Sequence, residues 1–254
     1  MANFEMPVTD YMTSPVETIR IGESLIGANA LFSEQGVSAI AVVDDAGSLK
    51  GVVSRTDILH VAIYSHGETF RVPNRSVEEI MQSPAVQVPR ASRLAEAAKL
   101  MLRNRVHRVF VTSAGKPEGV VSTRDLMRAV REKRLKTPIS EIASGSVVKV
   151  KADDPIALAV DRLDLSNKHG LVVVEGDFPI GIFDQACALE SRRLPPNTAV
   201  EHAMNVRILI LPPRMSIGRA AAQAIGMNVR RILIESDHGV SGIVGGLDFA
   251  RVMV

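Results

Sequence analysis

The chain has 254 residues, of which 46% are hydrophobic and 23% are charged, a balance typical of a globular protein with a sizeable core. Its formal net charge of +2 is too small to indicate nucleic-acid binding by counterion release. The single cysteine excludes an internal disulfide and fits a reducing compartment, and the first ten residues contain no signal-peptide pattern. Because the longest apolar runs fall far below the roughly 18 residues of a membrane helix, we expect a cytoplasmic protein.

The chain repeats one pattern four times, and this repetition is its main signal. Gly-Val-Val-Ser-Arg-Thr-Asp begins at Gly51, and Gly-Val-Val-Ser-Thr-Arg-Asp begins at Gly119, 68 residues later. Weaker copies reach the equivalent glycine at Gly181 and Gly242. We predict copies over residues 1–68, 69–137, 138–194 and 195–254, paired into modules 1–137 and 138–254.

Each copy reads as a short extended segment, a helix, two strands and a closing helix. In the first copy, apolar residues at helical spacing over 25–32 predict the helix, and residues 39–43 predict a buried strand. The second copy repeats both signals at 94–101 and 109–112. The charged segment 131–137 predicts a solvated helix end and a linker between the modules. The pattern as a whole predicts an α/β (α+β) fold of four βαββα units, which should pair because units of about 60 residues are marginal alone.

Two copies place Ser-x-x-Asp directly after the second strand, as Ser54 with Asp57 and Ser122 with Asp125. At a helix start this spacing is that of a capping box, which is a purely structural explanation. The same geometry also suits a nucleotide, since a carboxylate can accept from ribose hydroxyls while backbone N–H groups at the helix start meet phosphate. The spacing alone leaves both interpretations open.

The order of motifs resembles the cystathionine-β-synthase (CBS) domain. It runs from Met-Thr-Ser-Pro-Val at Met12, through a helix and an apolar strand, to Gly-Val-Val-Ser-x-x-Asp. The resemblance covers essentially the whole chain as a stand-alone protein of four CBS copies in two pseudo-two-fold Bateman modules. It implies a regulatory sensor of AMP, ADP or ATP that acts on an unknown partner. An S-adenosylmethionine sensor and an interaction scaffold without nucleotide are the alternatives, and a homodimer stays open.

The resemblance also assigns residues to two ligand sites. The first site is expected to use Ser54, Arg55, Thr56 and Asp57 beside the ribose and phosphate, with Val16 and Ile40 around the base. The second is expected to use Ser122, Arg124 and Asp125 with the basic pair His107 and Arg108, and Ala85, Val86 and Val109 around the base. A surface pair at a strand start is an equally good explanation of His107 and Arg108.

The third and fourth copies depart from this pattern. In the third, Asp184 replaces the serine and Cys187 the aspartate, so we expect no nucleotide there. In the fourth, Gly245 replaces the serine while Asp248 and Arg231 remain as weaker candidates, so binding there stays open. We expect the first module to bind nucleotide and the second to be mainly structural or partner-binding. We expect Cys187 to be an inert core residue. The sequence has no phosphate loop and no zinc-protease motif, so we expect no enzyme, no catalytic cofactor and no metal site.

Overall fold

A computed structural model describes residues 4–61, 72–144, 147–166, 170–237 and 239–254 of the chain. These residues form four three-stranded sheets and eight α-helices in four βαββα units. In each sheet the first strand runs parallel to the second, and the second antiparallel to the third. The predicted α/β fold of four repeats is thereby confirmed. The predicted boundary at residue 68 lies outside the described residues.

The four copies have the same order of elements. The first contains β1 (Thr18–Arg20), α1 (Leu25–Glu34), β2 (Ala39–Val43), β3 (Leu49–Ser54) and α2 (Arg55–Val61). The second contains β4 (Gln87–Pro89), α3 (Leu94–Asn104), β5 (Arg108–Ser113), β6 (Lys116–Ser122) and α4 (Thr123–Glu132). The third contains β7 (Lys149–Lys151), α5 (Ile156–Leu165), β8 (Gly170–Glu175), β9 (Phe178–Asp184) and α6 (Gln185–Glu190). The fourth contains β10 (Ile210–Leu211), α7 (Ile217–Gly226), β11 (Ile232–Ser236), β12 (Gly239–Val244) and α8 (Gly246–Arg251).

The chain divides into two compact units. The one–three unit, residues 17–84 and 148–206, joins the first copy to the third, and α2 packs against α6 within it. The two–four unit, residues 1–16, 85–147 and 207–254, joins the second copy to the fourth, and α4 packs against α7 and α8. Each unit has its own apolar core, which contains Phe32 and Phe183 in the former and Met101 and Phe249 in the latter. The predicted modules 1–137 and 138–254 stay a prediction.

The opening segment of the first copy packs on the second copy. Thr13 and Val120 exchange two backbone hydrogen bonds of 2.9 and 3.0 Å. A Cβ atom at Gly119 would lie 2.6 Å from the Sδ atom of Met12 and 3.0 Å from the carbonyl oxygen of Thr13. The glycine that opens the Gly-Val-Val-Ser motif is therefore required by this close approach.

The opening segment of the second copy packs on the first copy in return. Gln82 and Val52 exchange two backbone hydrogen bonds of 2.9 and 3.0 Å, and Met81 covers Gly51. Equivalent bridges join Asn205 to Ile182 and Ser144 to Ile243 in the other two copies. Each motif strand thus ends beside a segment that belongs to another copy.

Candidate functional site

The start of α2 holds Ser54 and Asp57 together. Oδ2 of Asp57 accepts hydrogen bonds from the backbone N–H of Ser54 at 2.8 Å and from its Oγ at 2.6 Å. The backbone N–H of Asp57 donates to Oγ of Ser54 at 3.3 Å. This reciprocal pattern is a capping box, and it uses only one of the two carboxylate oxygens.

The other oxygen of Asp57 has a partner that the sequence did not indicate. Nε2 of Gln82 donates to Oδ1 of Asp57 at 3.2 Å. Gln82 belongs to the opening segment of the second copy, which packs on the first copy. Two copies therefore contribute side chains to the start of α2. The alignment of Met81-Gln82 with Met12-Thr13 is the signal that could have singled out this residue.

The start of α4 repeats the cap in a more enclosed setting. Oδ2 of Asp125 accepts from the backbone N–H of Ser122 at 2.8 Å and from its Oγ at 2.7 Å. Asp125 is only 6% exposed, and Nη2 of Arg128 lies 3.7 Å from its Oδ1. Burial raises the pKa of the Asp125 carboxyl above its usual range, while the Ser122 hydrogen bonds and the charges of Arg128 and Arg124 act against this rise.

The two motif arginines reach the C-terminal ends of helices. Nη2 of Arg55 donates to the carbonyl of Phe32 at 2.7 Å, and its guanidinium lies 5.9 Å from the centre of the Phe32 ring. Arg124 donates to Oδ1 of Asn228 and, at 3.3 Å, to the carbonyl of Ile225. Carbonyls at helix ends lack intrahelical partners, which explains these contacts. The expected phosphate role of both arginines stays a prediction.

The expected base-pocket residues differ in burial. Ile40 and Val109 are completely buried in β2 and β5, where they pack in the cores. Ala85 is also buried, whereas Val86 is half-buried. Val16 belongs to the two–four unit and Ile40 to the one–three unit. Contact of any of these residues with a base stays a prediction.

The remaining expected residues lie at strand and helix starts. Thr56 is half-buried in the first turn of α2. His107 and Arg108 are half-buried where β5 begins, and the carbonyl of His107 accepts from the backbone N–H of Thr123 at 2.9 Å. Arg231 directly precedes β11 in the fourth copy and is also half-buried. The basic residues therefore occupy equivalent positions in the second and fourth copies.

The third copy fills its helix start with its own carboxylate. Oδ1 of Asp184 accepts from the backbone N–H groups of Ala186 at 2.9 Å and Cys187 at 3.2 Å. These are the groups that a phosphate at this helix start would bind. Cys187 is buried, and its burial, together with the charge of Asp184, raises the pKa of the thiol to about 12. Both facts agree with an inert core cysteine.

The fourth copy keeps half of the motif. Oδ2 of Asp248 accepts from the backbone N–H of Gly245 at 2.7 Å, and Nη1 of Arg251 donates to Oδ1 at 2.5 Å. A Cβ atom at Gly245 would lie 3.8 Å from Oδ2 of Asp248, which is ordinary contact. A serine would therefore fit at position 245.

The described residues include no helix with the length and apolar character needed to cross a membrane. They contain no group of three or more histidine, cysteine or acidic side chains arranged to hold a metal ion.

The sequence model of the CBS domain matches residues 8–64 and 77–132, which carry both Ser-x-x-Asp pairs. The chain contains two CBS domains. A 33.4 kDa uncharacterized protein in the ribosomal RNA operon of Thermofilum pendens is 31% identical over 187 residues, 67% of this chain and 59% of that protein. The 5'-AMP-activated protein kinase subunit gamma-3 of Bos taurus is 30% identical over 115 residues, 42% of this chain and 22% of the subunit. The chain thus spans less than two thirds of either relative.

Two solved structures share the fold of this chain. Protein MJ1225 of Methanocaldococcus jannaschii, described as a candidate archaeal homologue of g-AMPK, superposes with a TM-score of 0.85 at 14% identity, over 98% of this chain and 100% of that one. An uncharacterized conserved protein of Pyrococcus horikoshii superposes with a TM-score of 0.71 at 23% identity, with the same coverage. At these identities the likeness shows the fold.

Proposed function

We propose that the chain is a cytoplasmic regulatory protein, rather than an enzyme, that binds AMP, ADP or ATP at CBS repeats one and two and acts on a partner protein. The proposal rests on one observation, that the cap uses only one of the two carboxylate oxygens in Asp57 and in Asp125. In each, the cap occupies Oδ2 and fixes the orientation of the side chain. The cap leaves Oδ1 as an acceptor for a ribose hydroxyl.

The energetic difference between a cap and a ligand site makes the proposal testable. A hydrogen bond to a charged group contributes roughly 1.5–3 kcal/mol, so loss of either carboxylate should weaken a nucleotide about 10- to 150-fold. Replacement of a residue that served only as a cap would instead lower the free energy of unfolding by about 1 kcal/mol and leave nucleotide affinity unchanged.

Two further observations support the assignment of the ligand. The matched segment of the gamma-3 subunit belongs to a kinase named for its activation by 5'-AMP. Residues 8–64 and 77–132, which match the CBS domain, are also those that retain both serine and aspartate. Repeat three is proposed to remain empty because Asp184 covers its helix start, and repeat four to bind more weakly because it lacks the serine hydroxyl.

A thermal-shift screen of the full chain tests this function. AMP, ADP, ATP and S-adenosylmethionine are added separately over a concentration series. A ligand present at 100 times its dissociation constant should stabilise the fold by about 2.7 kcal/mol. We expect at least one adenine nucleotide to raise the unfolding temperature by an amount that corresponds to this stabilisation. A response to S-adenosylmethionine alone would point to that sensor, and no response to any of the four would favour the scaffold.

A further inference from the structure

We infer that Gln82 is a specificity-determining residue that recognises the ribose jointly with Asp57. This inference rests on the proposed nucleotide site in repeat one. It assigns one ribose hydroxyl to Oδ1 of Asp57 and the neighbouring hydroxyl to the side-chain carbonyl Oε1 of Gln82.

The hydrogen-bonding capacity of Asp57 leads to this assignment. Its Oδ2 already accepts two hydrogen bonds from Ser54, which is about the capacity of one carboxylate oxygen. Its Oδ1 accepts one from Nε2 of Gln82 and therefore has room for one more. A ribose presents two neighbouring hydroxyl donors, so the second hydroxyl needs another acceptor close to the carboxylate.

The amide of Gln82 supplies such an acceptor in a fixed place. Because Nε2 and Oε1 belong to one planar amide, the bond from Nε2 to Asp57 also holds Oε1 beside the carboxylate. The backbone of Gln82 is fixed by its two hydrogen bonds to Val52. The next residue, Ser83, donates from Oγ to the carbonyl of Lys50 at 2.9 Å. The backbone that carries the amide is thus anchored to the edge of β3 at Gln82, and the next residue is anchored there through its hydroxyl.

Repeat two provides different chemistry at the equivalent place. Thr13, whose side chain has no amide group, takes the position of Gln82 beside the motif strand. The group near Oδ1 of Asp125 is the guanidinium of Arg128, which has donors only and cannot accept a hydroxyl. We therefore expect Gln82 to affect the preference for AMP over its deoxy analogues at repeat one. We expect it to have no effect on that preference at repeat two.

Methionine methyl NMR of the full chain can follow the two sites separately. Met81 covers Gly51 beside the first site, and Met12 covers Gly119 beside the second. Chains labelled with ¹³C at the methionine methyl groups are titrated with AMP, 2′-deoxy-AMP and 3′-deoxy-AMP. The variants are Gln82→Ala, Gln82→Thr, which copies repeat two, and Gln87→Ala as a control at an exposed glutamine of β4.

At Met81 of the unmodified chain, both deoxy analogues should bind more weakly than AMP. In Gln82→Ala and Gln82→Thr, AMP should lose about 2- to 12-fold in affinity, the range expected for one neutral hydrogen bond. One deoxy analogue should then bind as well as AMP, because the hydroxyl that it lacks no longer has a partner. The Met12 titration and the Gln87→Ala variant should keep the original ratios.

Unchanged ratios at Met81 in both Gln82 variants would overturn the role of Gln82. Equal weakening of AMP and both analogues would also overturn it, since that result indicates a purely structural contribution. If AMP shifts the Met81 signal and Asp57→Ala weakens that binding by about 10- to 150-fold, the proposed function stands regardless of Gln82. If AMP does not perturb Met81 at all, the nucleotide site in repeat one fails, and the inference fails with it.

Discussion

The helix starts of α2 and α6 lie in the same compact unit, yet they use their carboxylates in opposite ways. Asp57 stands at the fourth position of its motif and reaches back to Ser54, so its second oxygen is not consumed by the cap. Asp184 stands at the first position and accepts from the N–H groups of the following helix. Asp57 thus keeps one carboxylate oxygen outside its cap, whereas Asp184 uses its Oδ1 to cap the helix that follows it.

In the two–four unit, the starts of α4 and α8 differ less than those of α2 and α6 do. Asp125 and Asp248 both reach back to the residue three positions earlier, but that residue is Ser122 in one repeat and Gly245 in the other. The fourth repeat thus keeps the carboxylate and loses the hydroxyl. The first position of the motif is thus serine in repeats one and two, aspartate in repeat three and glycine in repeat four.

The contrast between α2 and α6 is tested most strongly by removal of each acid. Asp57→Ala should weaken AMP at repeat one by about 10- to 150-fold, because a hydrogen bond to a charged group is lost. Asp184→Ala should leave AMP affinity unchanged and lower the free energy of unfolding by about 1 kcal/mol, the usual cost of an N-cap. Isothermal titration and urea unfolding measure the two quantities. Equal losses of affinity in the two variants would remove the distinction.

A pair of glycines tests the contrast between α4 and α8. A Cβ atom at Gly246 would overlap the side chain of Thr123, so Gly246→Ala should lower the free energy of unfolding by about 1–3 kcal/mol. Gly245→Ser meets only ordinary contact and should stay within about 0.5 kcal/mol of the unmodified chain. Urea unfolding of both variants provides the comparison. A larger loss in Gly245→Ser than in Gly246→Ala would contradict this account of the fourth repeat.

The smallest expected effect concerns the buried carboxylate of repeat two. Because burial raises the pKa of Asp125 in the folded chain, its contribution to stability is present at acidic pH and is lost as pH rises through that folded value. Asp125→Asn has no such titration, so its stability relative to the unmodified chain should increase from about pH 4 to pH 7. Urea unfolding across this pH range measures the difference. A relative stability that decreases with pH would show that the Ser122 hydrogen bonds, together with the charges of Arg128 and Arg124, outweigh burial.

The sequence could predict those features that depend on local pattern. The spacing of apolar residues over 25–32 and 39–43 located α1 and β2, since side-chain periodicity follows backbone geometry. The repeated Gly-Val-Val-Ser located the strand that enters the motif helix in copies one and two. The serine–aspartate contact followed from spacing alone, because residues three apart meet at a helix start.

Features that depend on distant contacts could not be predicted in this way. Gln82 meets Asp57 only because its backbone pairs with Val52, thirty residues away in sequence. The destinations of Arg55 and Arg124 also stayed hidden, since a long guanidinium side chain can reach several carbonyls and its choice depends on tertiary packing. The association of repeat one with three, and of two with four, similarly depends on which helix faces meet.

Native mass spectrometry of the full chain with AMP tests the central claim most directly, because it counts bound molecules. At an AMP concentration about ten times the dissociation constant of repeats one and two, we expect about two bound AMP molecules per chain. A 10- to 150-fold loss of affinity leaves an altered repeat roughly 50% to 6% occupied at that concentration. We therefore expect the number of bound molecules to fall towards one in Asp57→Ala and in Asp125→Ala, and to be lowest in the double variant. Two bound molecules in the double variant, or none in the unmodified chain, would contradict the assignment of nucleotide binding to the first two repeats.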